Sequence, residues 1–200
     1  YVRREQSKVA VGWKGWAWLF FWAIFTHPLL DSCTPYGTQL FQPFSDYRVV
    51  FDNISVVDPI YTLPFLICLI AASFFTRTRP WRRYLNWLGI ALSCSYLLFT
   101  FYNKWRVTQV FRESLAREEI TYDRLVTIPT IFNNILWQGI AEGDTAYYHS
   151  QYSLLDPEPR VLFFNTFPKN RHLLAGHEAD EDIQTMIWFT NGFYNLVERP

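Results

Sequence analysis

The sequence predicts a membrane α-helical protein with about three transmembrane helices, followed by a soluble α+β C-terminal domain. Three observations lead there. Charged residues are absent from residues 15–30, 59–76 and 84–102. Aromatic residues make up 20% of the chain, with nine Trp among them. The formal net charge of zero hides two unlike parts: residues 1–103 hold nine Lys/Arg against five Asp/Glu, and residues 104–200 hold nine against thirteen. A spanning helix needs about 20 mostly apolar residues, with a range of about 17–25. Spans are therefore expected near 13–31, 59–76 and 84–102 within a membrane region covering 1–103. Trp13, Trp16, Trp18, Trp22, Trp81 and Trp87 lie in or beside them, where a ring with a polar N–H suits the headgroup level.

Loop charges orient these spans, because cytoplasmic loops carry an excess of Lys and Arg. Arg3, Arg4, Lys8 and Lys14 precede the first, opposed by Glu5, and Arg77, Arg79, Arg82 and Arg83 separate the second from the third. The intervening segment holds Asp31, Asp46, Asp52 and Asp58 against Arg48 alone. This pattern predicts a multi-pass membrane protein with its N-terminus inside and residues 104–200 extracytoplasmic. Residues 32–58 are too apolar for a solvated loop and too interrupted for a span. They fit an interfacial or re-entrant segment, whose irregular backbone must be buried in protein or line a cavity.

Beyond Lys104, residues 105–119 place Val107, Val110, Phe111 and Leu115 at roughly helical spacing. Strand-like runs follow at 125–128, 135–141, 146–152 and 161–167, separated by Pro129, by Gly143-Asp144 and by Asp156-Pro157-Glu158-Pro159. A last helix is expected from Asp180, a capping residue followed by Glu181 and Asp182, to a stop at Gly192. The absence of a basic excess argues against a nucleic-acid partner. The lipid bilayer is the expected partner, with a protein partner open to the C-terminal domain.

The sharpest chemical feature is Thr26-His27-Pro28-Leu29-Leu30-Asp31. His27 and Asp31, four residues apart, share a helix face at the spacing with which two side chains grip one metal ion. Pro28 predicts a kink or a restarted helix between them. Ionisable groups at membrane depth are costly and are functional candidates by default; the competing reading is a pair that only marks the water interface. Asp58 and Asp46 are candidates for a further ligand or a general base, against turn-forming or capping roles. For Asp58, the cap of a helix opened by Pro59 carries equal weight. A divalent ion is the expected cofactor, zinc favoured by the histidine and manganese or magnesium compatible with the carboxylates.

Around these residues, Tyr36-Gly37-Thr38-Gln39-Leu40-Phe41, Pro43-Phe44-Ser45-Asp46 and Asp58-Pro59-Ile60-Tyr61-Thr62-Leu63-Pro64 resemble the YdjM-like family. Its members are bacterial inner-membrane proteins described as membrane-bound, metal-dependent hydrolases, one of them called LexA-binding. Asn103-Lys104, Asn133-Asn134, Tyr152-Ser153-Leu154-Leu155-Asp156 and Pro168-Lys169-Asn170 extend the resemblance along nearly the whole chain. It implies that His27 and Asp31 are metal ligands of a hydrolase that uses metal-activated water; their place near the outer membrane face suits a lipid-like or envelope-related substrate. It also implies that further His and Asp motifs lie upstream, which makes this chain a fragment. The alternative is a non-enzymatic membrane protein whose C-terminal domain binds a partner.

Overall fold

The computed structural model describes residues 12–177 and 179–198. The basic cluster Arg3, Arg4 and Lys8 lies outside the described residues. Contacts divide the chain into two units, one ending at Phe51 and the other beginning at Asp52.

In the first unit, helix α1 runs from Trp13 to Asp31 and buries none of its residues. Its aromatic side chains pair with one another along the helix: Trp18 stacks on Trp22 with ring centroids 6.3 Å apart, and Phe21 on Phe25 at 5.6 Å. Pro28 sits inside the helix, which continues past it to Asp31. Hydroxyls then satisfy the last carbonyls, Ser32 Oγ donating to Leu29 O at 2.7 Å and Thr34 Oγ1 to Asp31 O at 2.7 Å. The chain turns back through an antiparallel bridge between Thr38 and Val49. Gly37 makes that return possible: its φ is +64°, and a Cβ there would strike the side chain of Val50.

The second unit opens with two helices, α2 (Pro59–Ser73) and α3 (Pro80–Arg117). Each starts with proline, whose fixed φ and missing N–H suit a first helical position. They pack closely at Gly89, where an added Cβ would lie 3.0 Å from Cys68 Cβ and from the Phe65 ring.

The expected set of about three spans is corrected here. Among the described residues, one helix, α3, is both long and apolar enough to cross a membrane. Helix α2 has 15 residues, about 22 Å at 1.5 Å per residue, short of a hydrocarbon core of about 30 Å. Helix α1 has the length, with 19 residues. Lys14, four tryptophans, His27, Pro28 and Asp31 dilute its apolar character. The absence of charge over 15–30 measured only the lack of ions, whereas crossing requires sustained apolarity.

Helix α3 also joins what looked like two helices. Its 38 residues extend about 57 Å, so the charge-free stretch 84–102 and the amphipathic stretch beyond it form one rod. Val107, Phe111, Ser114 and Leu115 on the latter are buried. They lie under a four-stranded antiparallel sheet of simple up-and-down order: β1 (Arg124–Pro129), β2 (Leu136–Glu142), β3 (Ala146–Ser153) and β4 (Asn165–Pro168). Alternation along β2 buries Trp137, Gly139 and Ala141. The core comprises Val107, Val110, Phe111, Trp137, Tyr152 and Val161, with Leu125, Leu154 and Phe164 packed against it. The last helix, α4, spans Glu181–Phe189; Asp180 caps it by accepting from Asp182 N at 2.9 Å, and Gly192 follows at φ +80°.

Candidate functional site

The unbroken course of α1 through Pro28 brings His27 and Asp31 together. His27 Nε2 lies 3.1 Å from Asp31 Oδ2, with 76% and 47% of the two side chains exposed. The pair therefore has the four-residue spacing expected of it and remains open on one helix face. It stands in the last turn of α1, where the helix dipole favours cations.

Asp46, in the same unit, accepts from Gln42 Nε2 at 2.7 Å through Oδ1, and its carbonyl accepts from Gln39 Nε2 at 3.2 Å. Asp58 belongs to the second unit and is 2% exposed. Its Oδ1 accepts from Ile60 N at 2.9 Å and Tyr61 N at 3.2 Å, capping α2, while Oδ2 accepts from Tyr96 OH at 2.8 Å. Both carboxylate oxygens are thus engaged in holding the start of α2 against α3. Among the described residues, no group of three His, Cys, Asp or Glu side chains is placed to hold a metal ion. His149 Nε2 lies 3.4 Å from Gln138 Oε1, and His172 and His177 are exposed.

Two polar clusters were not foreseen as clusters. The first joins the segment before α2, the middle of α3 and the start of β2. Asn103 Nδ2 donates to Asn134 Oδ1 at 2.8 Å, Asn134 Nδ2 to Asn53 O at 2.8 Å, and Asn53 Nδ2 to Thr100 Oγ1 at 2.8 Å. These four side chains are almost fully buried. Such a chain of amides stabilises because burial without partners would cost each group about 1–3 kcal/mol. Beside it, Lys104 lies beyond the charge-free stretch 84–102, hydrogen-bonds to Thr127 O and sits 3.7 Å from Asp52. Burial pulls its ammonium down to about 8, with Asp52 opposing the shift in part.

A testable consequence follows for Lys104. The folded lysine releases its proton near 8 and the unfolded one near 10.5, so its contribution to stability rises with pH through that window. The unfolding midpoint of wild type relative to Lys104→Met, measured in detergent across it, should shift in favour of wild type as pH rises. Parallel profiles would contradict the assignment.

The second cluster centres on Glu142, 6% exposed at the end of β2. Its Oε2 accepts from Arg124 Nε and Nη2, both at 2.6 Å, and its Oε1 from Lys169 Nζ at 2.8 Å and Arg171 Nη2 at 3.5 Å. Burial would raise the Glu142 carboxyl, but hydrogen bonds and charge from Lys169 and Arg124 prevail and hold it below its ordinary value. With three cations around one carboxylate inside the sheet's edge, this cluster is a brace.

A model of the YdjM inner membrane protein family matches residues 2–107, just over half of the chain. The chain belongs to this family. No curated protein and no solved structure matches it. Membership places the protein in an inner membrane and makes the lipid bilayer its partner. The YdjM match takes in His27, Asp31, Asp46 and Asp58 and ends where α3 begins to support the sheet.

Proposed function

We propose that this YdjM-family protein is a metal-dependent hydrolase of the inner membrane whose metal centre is founded on His27 and Asp31. The observation that carries the proposal is their 3.1 Å approach on an open face at the end of α1. An imidazole nitrogen and a carboxylate suit zinc, with manganese or magnesium as alternatives. They would supply two of the three protein ligands that a catalytic zinc site uses. The remaining ligands would come from outside the described residues, as the family resemblance implies.

An ion bound there would be held by the His27 imidazole and the Asp31 carboxylate, which already lie 3.1 Å apart on one helix face. A bound divalent ion would supply hydroxide near neutral pH by lowering the pKa of its water. A membrane location suits a lipid-like or envelope-related substrate. The four arginines before α3's charge-free stretch (Arg77, Arg79, Arg82 and Arg83) favour a cytoplasmic start for α3 and an extracytoplasmic sheet domain. Alkaline phosphatase fused after the sheet domain should accordingly be active.

Metal content measured on purified protein tests the site. His27→Ala and Asp31→Ala are each expected to lower bound metal, since each removes a ligand. Equal metal content in wild type and both variants would falsify the proposal.

A further inference from the structure

The turn joining β1 to β2, residues 130–135, exposes Ile131 by 69%, Phe132 by 60% and Ile135 by 38%. Phe132 adopts a φ of +69°, a left-handed conformation that costs a bulky residue about 1–2 kcal/mol. Strain of this kind persists only where the surroundings enforce it. They do so here. Phe132 N donates to Ser55 Oγ at 3.3 Å, and Asn133 Oδ1 accepts from Ile135 N at 2.9 Å and Leu136 N at 2.8 Å. These bonds hold the turn's backbone while its apolar side chains project.

The level of the turn along α3 is set independently. Asn134 is bonded to Asn103, the residue immediately after the charge-free stretch 84–102. At that height α3 presents Tyr102 and Trp105, 51% and 59% exposed and with ring centroids 6.1 Å apart. Paired amphipathic rings at the end of a spanning stretch mark a headgroup boundary. The turn is thus tied to α3 at the end of its charge-free stretch, with Ile131 and Phe132 exposed.

We propose that the β1–β2 turn is a membrane-insertion loop, with Ile131 and Phe132 immersed in the headgroup–acyl boundary of the same leaflet that receives the end of α3. Amphipathic segments bury apolar groups about 5–10 Å into that boundary. The loop fixes the sheet domain's height and tilt over the bilayer, a role independent of any chemistry at His27.

Photo-crosslinking of the full chain tests this. p-Benzoylphenylalanine is placed singly at Ile131, Phe132, Leu98 or Asp144, and the protein is reconstituted in vesicles of phosphatidylethanolamine and phosphatidylglycerol. Leu98 is 71% exposed on the spanning stretch, and Asp144 is an exposed residue of the turn at the far end of β2. Intact-mass analysis should show phospholipid adducts at 131 and 132 within a few-fold of those at 98, and an order of magnitude above those at 144. Adducts at 98 with none at 131 or 132, or crosslinks from the turn into the protein's own chain, would overturn the proposal. So would an absence of lipid adducts at 98, because the turn would then have no bilayer at its level.

Discussion

Glu142→Ala is expected to destabilise the sheet domain by about 3–5 kcal/mol, the cost of removing one partner from a buried ionic cluster. The loss exceeds that of an exposed ion pair, about 0–1 kcal/mol, because Lys169 is itself only 8% exposed and would be left without its carboxylate. Arg124 and Arg171 are about half exposed and can turn to water, so Lys169 carries most of the penalty. Glu142→Gln should cost less than alanine, since the amide oxygen still accepts one hydrogen bond. A second expectation concerns pH. The carboxyl is held below its ordinary value of 4.5, so its stabilisation is complete above that value and fades as pH falls through the folded group's lower one. Thermal unfolding of the full chain in detergent, followed by near-ultraviolet circular dichroism, gives both results. An unchanged midpoint in Glu142→Ala, or a variant as acid-sensitive as wild type, would show that the cluster contributes nothing.

The strands were legible because local signals agreed. β-Branched and aromatic runs bounded by Pro129 and by Gly143-Asp144 located β1 to β3 to within about two residues, the usual uncertainty at element ends, whereas the run expected at 161–167 is a strand only from Asn165 to Pro168. The length of α3 was not legible from composition. Charge resumes at Lys104, yet between Gly89 and Arg117 there is neither glycine nor proline, and nothing ends the helix. A change of solvent along a chain is not a change of backbone.

The pairing of His27 with Asp31 could be read because it is local. The Glu142 and Asn134 clusters could not, because their members lie up to 81 residues apart in sequence. Strand register decides the first, by setting Arg124 opposite Glu142. Asn103-Lys104, Asn133-Asn134 and Pro168-Lys169-Asn170 hold helix, turn and sheet together; of these, only the first lies within the family match.

Phe111→Ala is expected to cost about 3–5 kcal/mol, the sum of lost transfer energy and an unfilled cavity. The ring is fully buried at the centre of the core and lies directly on Gly139, where any Cβ would collide with it. This contact explains a glycine in mid-strand, a position where it ordinarily weakens the strand. Gly139→Ala alone should therefore be destabilising by about 1–3 kcal/mol through overpacking, although alanine removes chain entropy from the unfolded state. The two substitutions must be non-additive. In the double variant the new methyl enters space vacated by the ring, so Gly139→Ala should turn from harmful to neutral or favourable, a coupling of about 0.5–3 kcal/mol for residues in contact. Denaturant midpoints of the four proteins measure it. Strict additivity would mean that the backbone at 139 moves away from α3 instead, and that the close approach of helix and sheet is not what requires glycine there.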